Sequence, residues 1–222
     1  MESFRGILQL MIFEVMLFDL DDTLYPSTSG VWEAIGVRID RYMHERVHIP
    51  VEQVPTLRQS LFHQYGTTLR GLVELYHVDA QDYLDYVHDI NLSRYLRPDA
   101  VLRETLNHYP QRKVIFTNAS SGHAQRVISQ LGLEGVFEKI IDIRAIEPYC
   151  KPQIGAFQKA FELAEIQSPG DCIMFDDSTA NLLVARDLGM FTVHVGHEDR
   201  SDGVDASIVS LLDLPSVVPI ME

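Results

Sequence analysis

Short runs of apolar residues, rich in β-branched and aromatic side chains, alternate with helical patterns through much of this chain. Three of the runs lack the every-second-residue alternation of a strand with one exposed face, which indicates strands buried on both faces. From residue 113 onward the alternation predicts right-handed βαβ units and a parallel sheet covered on both sides, hence an α/β fold with a three-layer, Rossmann-like arrangement. The predicted strands are "IFEVMLFDL" (12–20), "KVIFTN" (113–118), "KIIDI" (139–143), "DCIMFDD" (171–177) and "FTVHVG" (191–196).

Helical patterns fill the intervals between the later strands. Residues 121–133 begin with serine and have a glycine near their end, as helices often do. Residues 151–166 space their apolar side chains by three and four and place Pro152 at an early helical position. A third helix is predicted for residues 178–189, between Ser178 and Gly189.

Residues 31–98 interrupt this alternation with an almost entirely helical block. The block lies between the first strand and the second, where a simple crossover needs only about a dozen residues. It is therefore predicted to be an inserted helical domain over the strand ends. The resulting division assigns 1–25 and 99–222 to the core and 26–98 to the helical domain.

The first strand ends in "FDLDDTLYPSTSG", which places Asp19, Asp21 and Asp22 within four positions. At ~4 Å and an effective dielectric constant of ~20, one pair of like charges costs roughly 4 kcal/mol. A chain that ends a buried strand in this way is predicted to place a cation or a phosphoryl group there.

Polar clusters also follow the other predicted strands. Ligands of open α/β sheets bind at the carboxyl ends of the strands, so these clusters are expected to meet at one edge. They are Asp19–Thr23, Thr117–Asn118, Lys151 and Asp176–Asp177.

A carboxylate can attack phosphorus and form an aspartyl-phosphate, and Asp19 is the candidate nucleophile. A dianionic substrate and an attacking carboxylate repel each other, so a divalent cation has to screen them. Magnesium suits an all-oxygen site. Asp19 and Asp177 are the first candidate ligands; Asp176 binds directly or supports them, and Asp21 belongs to the same acidic group.

The remaining polar residues have complementary predicted roles. Asp21 lies two residues after the nucleophile and can protonate the leaving alkoxide and then activate water, with Thr23 orienting it. Lys151 can neutralise the nucleophile and a phosphoryl oxygen, and Thr117 with nearby amides can bind the other oxygens. For Asn118, a capping role and a role in substrate binding are equally favoured by the sequence.

Four motifs, "DLDDT", "FTNAS", "KP" and "FDDSTAN", occur in the order found in the haloacid dehalogenase-like hydrolase superfamily, which this chain therefore resembles over 12–195. The resemblance implies a Rossmann-like core, a flap at about 24–30 and a helical cap inserted between the first two motifs. The insert at 31–98 agrees with that expectation.

A narrower resemblance concerns the substrate. "DLDDTLYPSTSG", "YGTTLRGLVELYH", "RPD", "FTNAS" and "HAQRVISQLGL" are similar to the pyrimidine 5′-nucleotidase subgroup. This resemblance implies that the cap places Arg70 and His77 near the active site. Arg70 lies between Gly66 and Gly71 and offers a planar donor fork to a sugar, base or phosphate oxygen, or else packs on the cap surface.

Several residues are given structural interpretations. Asp22 is expected to be structural or to support the site, because its side chain should point away from those of its strand neighbours. For Asn181, a capping role and a role in the active site are equally favoured by the sequence. His44 and His48 are read as one face of a helix rather than metal ligands, and Trp32 as part of the cap core.

Composition limits the partners. The chain has 222 residues with 18 basic and 32 acidic side chains, a net charge of −14, which disfavours nucleic-acid polymers and anionic membranes. The two cysteines have no CxxC spacing, so a reducing cytoplasm is expected.

Gln9 and Glu14 interrupt the apolar N-terminal stretch, which argues against a signal peptide. The oligomeric state stays open.

The sequence favours a magnesium-dependent phosphomonoesterase acting on a small-molecule phosphate ester. The narrower resemblance implies pyrimidine nucleoside 5′-monophosphates as the first candidate substrates, with sugar phosphates as the alternative. Dehalogenation is disfavoured by Asp21, because a halide leaves without a proton. A mutase stays open. A non-catalytic binding protein on the same fold would be expected to have lost a motif residue, and none is missing.

Overall fold

The protein, described here from a computed structural model covering residues 13–196 and 202–218, is built around one parallel sheet. Its strands run in the order β3-β2-β1-β4-β5-β6. The strands are β1 (Val15–Phe18), β2 (Arg112–Phe116), β3 (Lys139–Ile141), β4 (Cys172–Asp176), β5 (Phe191–Val195) and β6 (Ala206–Ile208). The chain order changes direction at β1, between β2 and β4, and that is where an α/β sheet opens a ligand crevice.

The predicted strands coincide with β1 to β5, and β1, β4 and β5 are buried along their whole length. Phe18 at the end of β1 pairs with Ile115 on one side and Phe175 on the other, and its ring stacks on that of Phe175 at 4.7 Å. β6 was not predicted, because its three residues are too short a run to stand out from the sequence. Residues 1–12, which include the start of the first predicted strand, lie outside the described residues.

The core helices cover both faces of the sheet; the first precedes β2 and the others follow later strands. They are α5 (Ala100–Asn107), α6 (Ser121–Leu131), α7 (Ile154–Leu163), α8 (Thr179–Asp187) and the short α9 (Leu214–Val217). Ser120 caps α6 by accepting a hydrogen bond from the backbone N–H of His123, and Gly132 ends α6 in the left-handed region.

The prediction for residues 151–166 was wrong at its start. α7 begins only at Ile154 with Gln153 as its N-cap, so Lys151 and Pro152 precede the helix instead of opening it. Lys151 therefore lies in a loop, and hydrogen bonds between its backbone and Asn118 hold it in place.

Four α-helices lie within residues 31–98, as the helical pattern of that block predicts. They are α1 (Val31–Glu45), α2 (Val54–Tyr65), α3 (Thr68–Tyr76) and α4 (Ala80–His88), and we call them the helical insert. α1 packs on α4 through Tyr42, whose ring meets Tyr83 edge-on at 5.1 Å. Arg58 of α2 binds the carboxylate of Asp40 in α1 at 2.9 Å.

Within the part of the chain that the structure describes, no helix combines the length and apolar character needed to span a lipid bilayer. Both cysteines, Cys150 and Cys172, are buried free thiols.

Candidate active site

Three buried or half-buried carboxylates and one lysine meet at the carboxyl ends of β1 and β4. Asp19 follows β1 directly, and its backbone N–H donates to the carbonyl of Phe175 at 2.8 Å, which fixes it beside β4. Lys151 Nζ donates to Asp19 Oδ1 at 2.6 Å and to Asp176 Oδ2 at 2.7 Å. One oxygen each of Asp19, Asp176 and Asp177 lies within 4.8 Å of the others.

Asp176 is the most constrained of these acids. It is fully buried, and its Oδ1 accepts hydrogen bonds from the backbone N–H of Ser178 at 2.8 Å and from Asn181 Nδ2 at 2.9 Å. Asn181 also reaches Oδ2 at 3.0 Å, the oxygen that Lys151 binds. Asn181, which the sequence left undecided, thus holds an acid of the site in place.

Burial and mutual repulsion change the ionisation of this group. Burial, together with the nearby Asp176 and Asp177, holds the pKa of Asp19 well above its usual range, and Lys151 opposes the shift. Burial and Asp176 raise the pKa of Asp177 to about 7. Burial opposes, but Asp176 and Asp19 outweigh it and raise the pKa of Lys151.

One lysine thus faces three carboxylates in a buried space, and the site is short of positive charge. The donor set consists of carboxylate oxygens only, which are the ligands of a hard cation such as Mg²⁺. Asp19 and Asp177 fit such an ion best, because Asp176 already has partners on both of its oxygens.

The side chain of Asp21 lies outside this cluster, so the prediction that it is a fourth metal-binding carboxylate is corrected. Its Oδ1 accepts a hydrogen bond from His123 Nε2 at 2.8 Å and another from the Tyr25 hydroxyl. Burial raises the pKa of Asp21, but His123 and Tyr25 together outweigh burial and lower it overall. Its partners therefore hold Asp21 as a separate acidic group beside the cluster.

Thr117 and Asn118 lie at the end of β2 and line the same cavity as Asp19. Thr117 is buried, and its Oγ1 accepts a hydrogen bond from the backbone N–H of Ala119 at 3.0 Å, so its own hydroxyl proton is available to a ligand. Asn118 instead holds the loop of Lys151: it accepts from the backbone N–H of Lys151 at 2.9 Å and donates to its carbonyl at 3.0 Å. Asn118 therefore positions Lys151, and its contact with a substrate stays a prediction.

Thr23 and Asp22 both differ from their sequence predictions. Thr23 is buried, does not line the cavity, and its Oγ1 has no hydrogen-bond partner among the described residues, so it neither orients Asp21 nor meets a substrate. Asp22 has a φ of 60° and lines the cavity, because this left-handed backbone turns its side chain away from the strand pattern. Burial, followed by Asp21, raises the pKa of Asp22 to about 6.

Arg70 connects the helical insert to the core and does not line the cavity, which corrects its predicted role in substrate binding. Its Nη2 donates to the carbonyls of Ile143 at 2.9 Å and Tyr149 at 2.8 Å, and its Nη1 lies 3.4 Å from Glu147. His77 ends α3 on the exposed surface and is also absent from the cavity lining.

A cavity of about 920 Å³ extends from the acid cluster into the helical insert. Trp32 and Phe62, which are 46% and 55% exposed, line it, so the interpretation of Trp32 as part of the cap core is wrong. Trp32 lies one turn before Ile35 on the same side of α1, and Ile35 lines the cavity as well. Apolar residues, the paired Asp40 and Arg58, and other polar residues complete the insert side; the latter are Gln59, His63, Thr67, Thr68 and His88.

Sequence reasoning missed His123, His88 and Tyr25. His123 lies in the first turn of α6, shortly after Thr117, and a polar ring at that position next to a catalytic strand end was the available signal. His88 stacks on His123 with 4.3 Å between ring centroids, although it belongs to α4 of the insert. Burial and His123 lower the pKa of His88 to about 3, so His88 is neutral.

Comparison with known families places this geometry in context. The family model for haloacid dehalogenase-like hydrolases matches residues 13–189, which include the acid cluster, Lys151 and the whole insert. The chain belongs to this family of hydrolases.

Among individual proteins, the chain is similar to Phosphate metabolism protein 8 of Saccharomyces cerevisiae, at 26% identity over 191 residues. The match covers 80% of this chain and 60% of the yeast protein, so the chain spans about three fifths of the length of that relative.

Solved structures share the fold at low sequence identity. A HAD phosphatase of Thermococcus onnurineus has a TM-score of 0.65 at 17% identity, covering 94% of this chain and 99% of its own. The HAD-hydrolase YfnB of Bacillus subtilis, solved bound to magnesium, has a TM-score of 0.63 at 20% identity, covering 94% and 99%. A likeness at these identities shows the fold alone, and the neighbours include dehalogenases as well.

Proposed function

We propose that this hydrolase is a magnesium-dependent phosphomonoesterase that works through an aspartyl-phosphate on Asp19. The observation that carries the proposal is the pairing of Asp19 with Lys151 on one side of the cavity and the separately held Asp21 on another. A nucleophile, a charge-neutralising cation and an acid are then available around one phosphoryl group.

In the first half-reaction, Asp19 attacks phosphorus, an oxygen–phosphorus bond forms to its carboxylate, and the bond to the leaving group breaks. Lys151, 2.6 Å from Asp19 Oδ1, holds the carboxylate and neutralises charge on the phosphoryl oxygens. The Thr117 hydroxyl donates to another of those oxygens. Asp19 and Asp177 would hold the magnesium ion, which reduces the repulsion between the nucleophile and the phosphate dianion when it is bound.

Asp21 supplies the proton. Although burial opposes them, His123 and Tyr25 lower its pKa, but a phosphate dianion nearby is a like charge that favours the protonated carboxyl. That proton goes to the leaving alkoxide, and the resulting carboxylate accepts a proton from the water that hydrolyses the aspartyl-phosphate. A halide needs no such proton, so a pair of Asp21 and His123 argues for phosphate esters over haloacids.

For the substrate we propose a nucleoside 5′-monophosphate, with pyrimidine bases preferred. The cavity volume lies within the range of small-molecule sites, and aromatic side chains on the insert side suit a planar base. The resemblance of the first and second motifs to pyrimidine 5′-nucleotidases supports the same choice. The name of the yeast relative, Phosphate metabolism protein 8, also concerns phosphate.

A panel of pyrimidine and purine 5′-monophosphates, sugar phosphates and an aryl phosphate, assayed with magnesium and with excess chelator, tests the proposal. We expect hydrolysis with magnesium only, with the highest kcat/KM on pyrimidine nucleotides. Asp19→Asn is the matched control, since it keeps the shape of the residue and removes the nucleophile. Sugar phosphates as best substrates would replace the nucleotide proposal, and absence of all hydrolysis would leave a binding protein.

A further inference from the structure

We propose that His123 is a positioning residue that fixes one oxygen of Asp21 and thereby selects the other, Oδ2, as the oxygen that exchanges protons with the substrate. The inference rests on the proposed function and deepens it. His123 opens the segment "HAQRVISQLGL", and the resemblance of that segment to the nucleotidases implied no role for it.

Both hydrogen bonds to Asp21 converge on the same oxygen. His123 Nε2 lies 2.8 Å from Oδ1, and the hydroxyl of Tyr25 donates to that oxygen as well. No described residue binds Oδ2, and Asp21 lines the cavity that holds Asp19. With Oδ1 engaged twice, Oδ2 is the oxygen left to face the leaving group.

The imidazole of His123 can act only through Nε2. Its Nδ1 is buried without a hydrogen-bond partner among the described residues, and the side chain is fully inaccessible. Nε2 lies against a carboxylate oxygen, and a nitrogen lone pair at that position would repel it, so Nε2 carries a proton and donates it to Asp21 Oδ1.

The ring is also held from behind by the helical insert. His88 of α4 stacks on it with an angle of 14° between the ring planes, and His88 Nδ1 lies 3.0 Å from Ser120 Oγ, the group that caps α6. Arg126 of α6 in turn donates to the carbonyl of His88. The orientation of the acid therefore depends on contacts that exist only while the insert rests on the core.

In the first half-reaction, the proton leaves Oδ2 for the alkoxide as the bond between phosphorus and that oxygen breaks. The electron pair of that bond stays on the alkoxide, and Oδ1 keeps both of its hydrogen bonds. In the second half-reaction Oδ2 accepts a proton from the attacking water. His123 neither gains nor loses a proton in this cycle.

Two amide replacements that differ by one methylene test the proposal. Glutamine places its amide nitrogen at about the reach of Nε2, whereas asparagine falls short of Asp21. We expect His123→Asn to lower kcat/KM on a nucleotide at least tenfold more than on an aryl phosphate with a good leaving group, because only the poor leaving group needs the proton. His123→Gln is expected to restore most of the loss.

Asp21→Asn separates the inference from the proposed function. If Asp21→Asn lowers kcat/KM on the nucleotide more than on the aryl phosphate, the role of Asp21 as the acid is supported. In that case kcat/KM of the double variant with His123→Asn should be little lower than that of Asp21→Asn alone. Equal losses on both substrates for His123→Asn, or full additivity with Asp21→Asn, would overturn the positioning role while leaving the acid in place. Equal losses for Asp21→Asn would overturn both.

Should His123→Asn fail to fold, the imidazole N–H resonance of His123 decides the matter in chains that keep the histidine. We expect this resonance to shift between the wild-type protein and Asp21→Asn, since the acceptor of the hydrogen bond changes from a carboxylate to an amide. An unchanged resonance would show that His123 does not bind Asp21 and would overturn the proposal.

Discussion

At the scale of single residues, Lys151 is the cation that pairs with the buried carboxylates of the site. It is 1% exposed and lies between two buried carboxylates, Asp19 and Asp176. Its loop is fixed by Asn118, which binds the backbone of Lys151 on both its N–H and its carbonyl. Removing one member of such a group leaves charges buried without a partner, which costs far more than losing an exposed ion pair.

Lys151→Met is therefore expected to lower the free energy of unfolding by roughly 3–5 kcal/mol at pH 7.5 without metal. The loss should shrink at pH 5.5, because Asp19, whose pKa is already raised by burial, accepts a proton more readily than it does in the unfolded chain. Added Mg²⁺ should recover part of the loss by supplying positive charge. Urea titrations at both pH values measure each of these effects.

Lys113→Met is the matched control for this prediction. Lys113 is also a buried lysine, but its ammonium group binds the carbonyls of Tyr109 and Gln111 and no carboxylate. Its replacement should show neither the recovery at low pH nor the recovery with Mg²⁺. The same pH and metal response in both variants would contradict the charge argument.

At the scale of elements, the start of α3 joins the helical insert to the core. Gly66, with a φ of +85°, lies so close to the core loop that a Cβ there would approach Cys150 Sγ to 2.8 Å. Thr67 caps α3 by accepting from the backbone N–H of Arg70, which aims the Arg70 side chain at the carbonyls of residues 143 and 149. The contact thus braces the loop that leads into Lys151.

Arg70→Ala is expected to lower the free energy of unfolding by about 1.5–3 kcal/mol, the usual value of hydrogen bonds to a charged group. Because the contact braces a loop and touches no substrate, kcat/KM should fall by a similar factor on nucleotide and aryl phosphates. Arg38→Ala is the control, since Arg38 binds the Tyr86 carbonyl within the insert and should cost stability without slowing either substrate. A selective loss on nucleotides for Arg70→Ala would restore its role in substrate binding.

At the scale of the whole molecule, the cavity exists only because the insert and the sheet edge face each other. The core supplies Asp19, Thr117 and Lys151, which meet the phosphoryl group that every phosphate ester carries. The insert supplies Trp32 and Phe62, which line the same cavity. Discrimination among esters is therefore expected to depend on the insert.

Trp32→Ala is expected to lower kcat/KM on the preferred nucleotide about tenfold, a loss within the ~1–3 kcal/mol that stacking of one base on an aromatic ring contributes. Hydrolysis of a small aryl phosphate should change little. Val37→Ala is the control, because Val37 is 60% exposed on the same helix and does not line the cavity. Equal losses on both substrates, or none, would remove Trp32 from substrate recognition.

Local pattern determined a large share of this molecule. The positions of β1 to β5, the helical nature of the insert and the α/β fold follow from apolar runs and helical spacing, and the match to the hydrolase family confirms the fold and family that the motifs indicated. The sequence also indicated that Asp19, Lys151 and Asp177 lie at strand ends of one sheet edge. Strands, helices and strand ends can be predicted from the sequence because they depend on the pattern of residues only a few positions apart.

The tertiary structure alone decided what each polar side chain binds. Asp21 leaves the acid cluster for His123, 102 positions away, and Arg70 reaches carbonyls more than 70 positions away. Asn118 holds Lys151 where a substrate contact was expected, and Trp32 faces the cavity instead of the core of the insert. The hydrogen-bond partner of a side chain depends on how segments distant in sequence pack against each other. That packing produces no local pattern in the sequence around either residue.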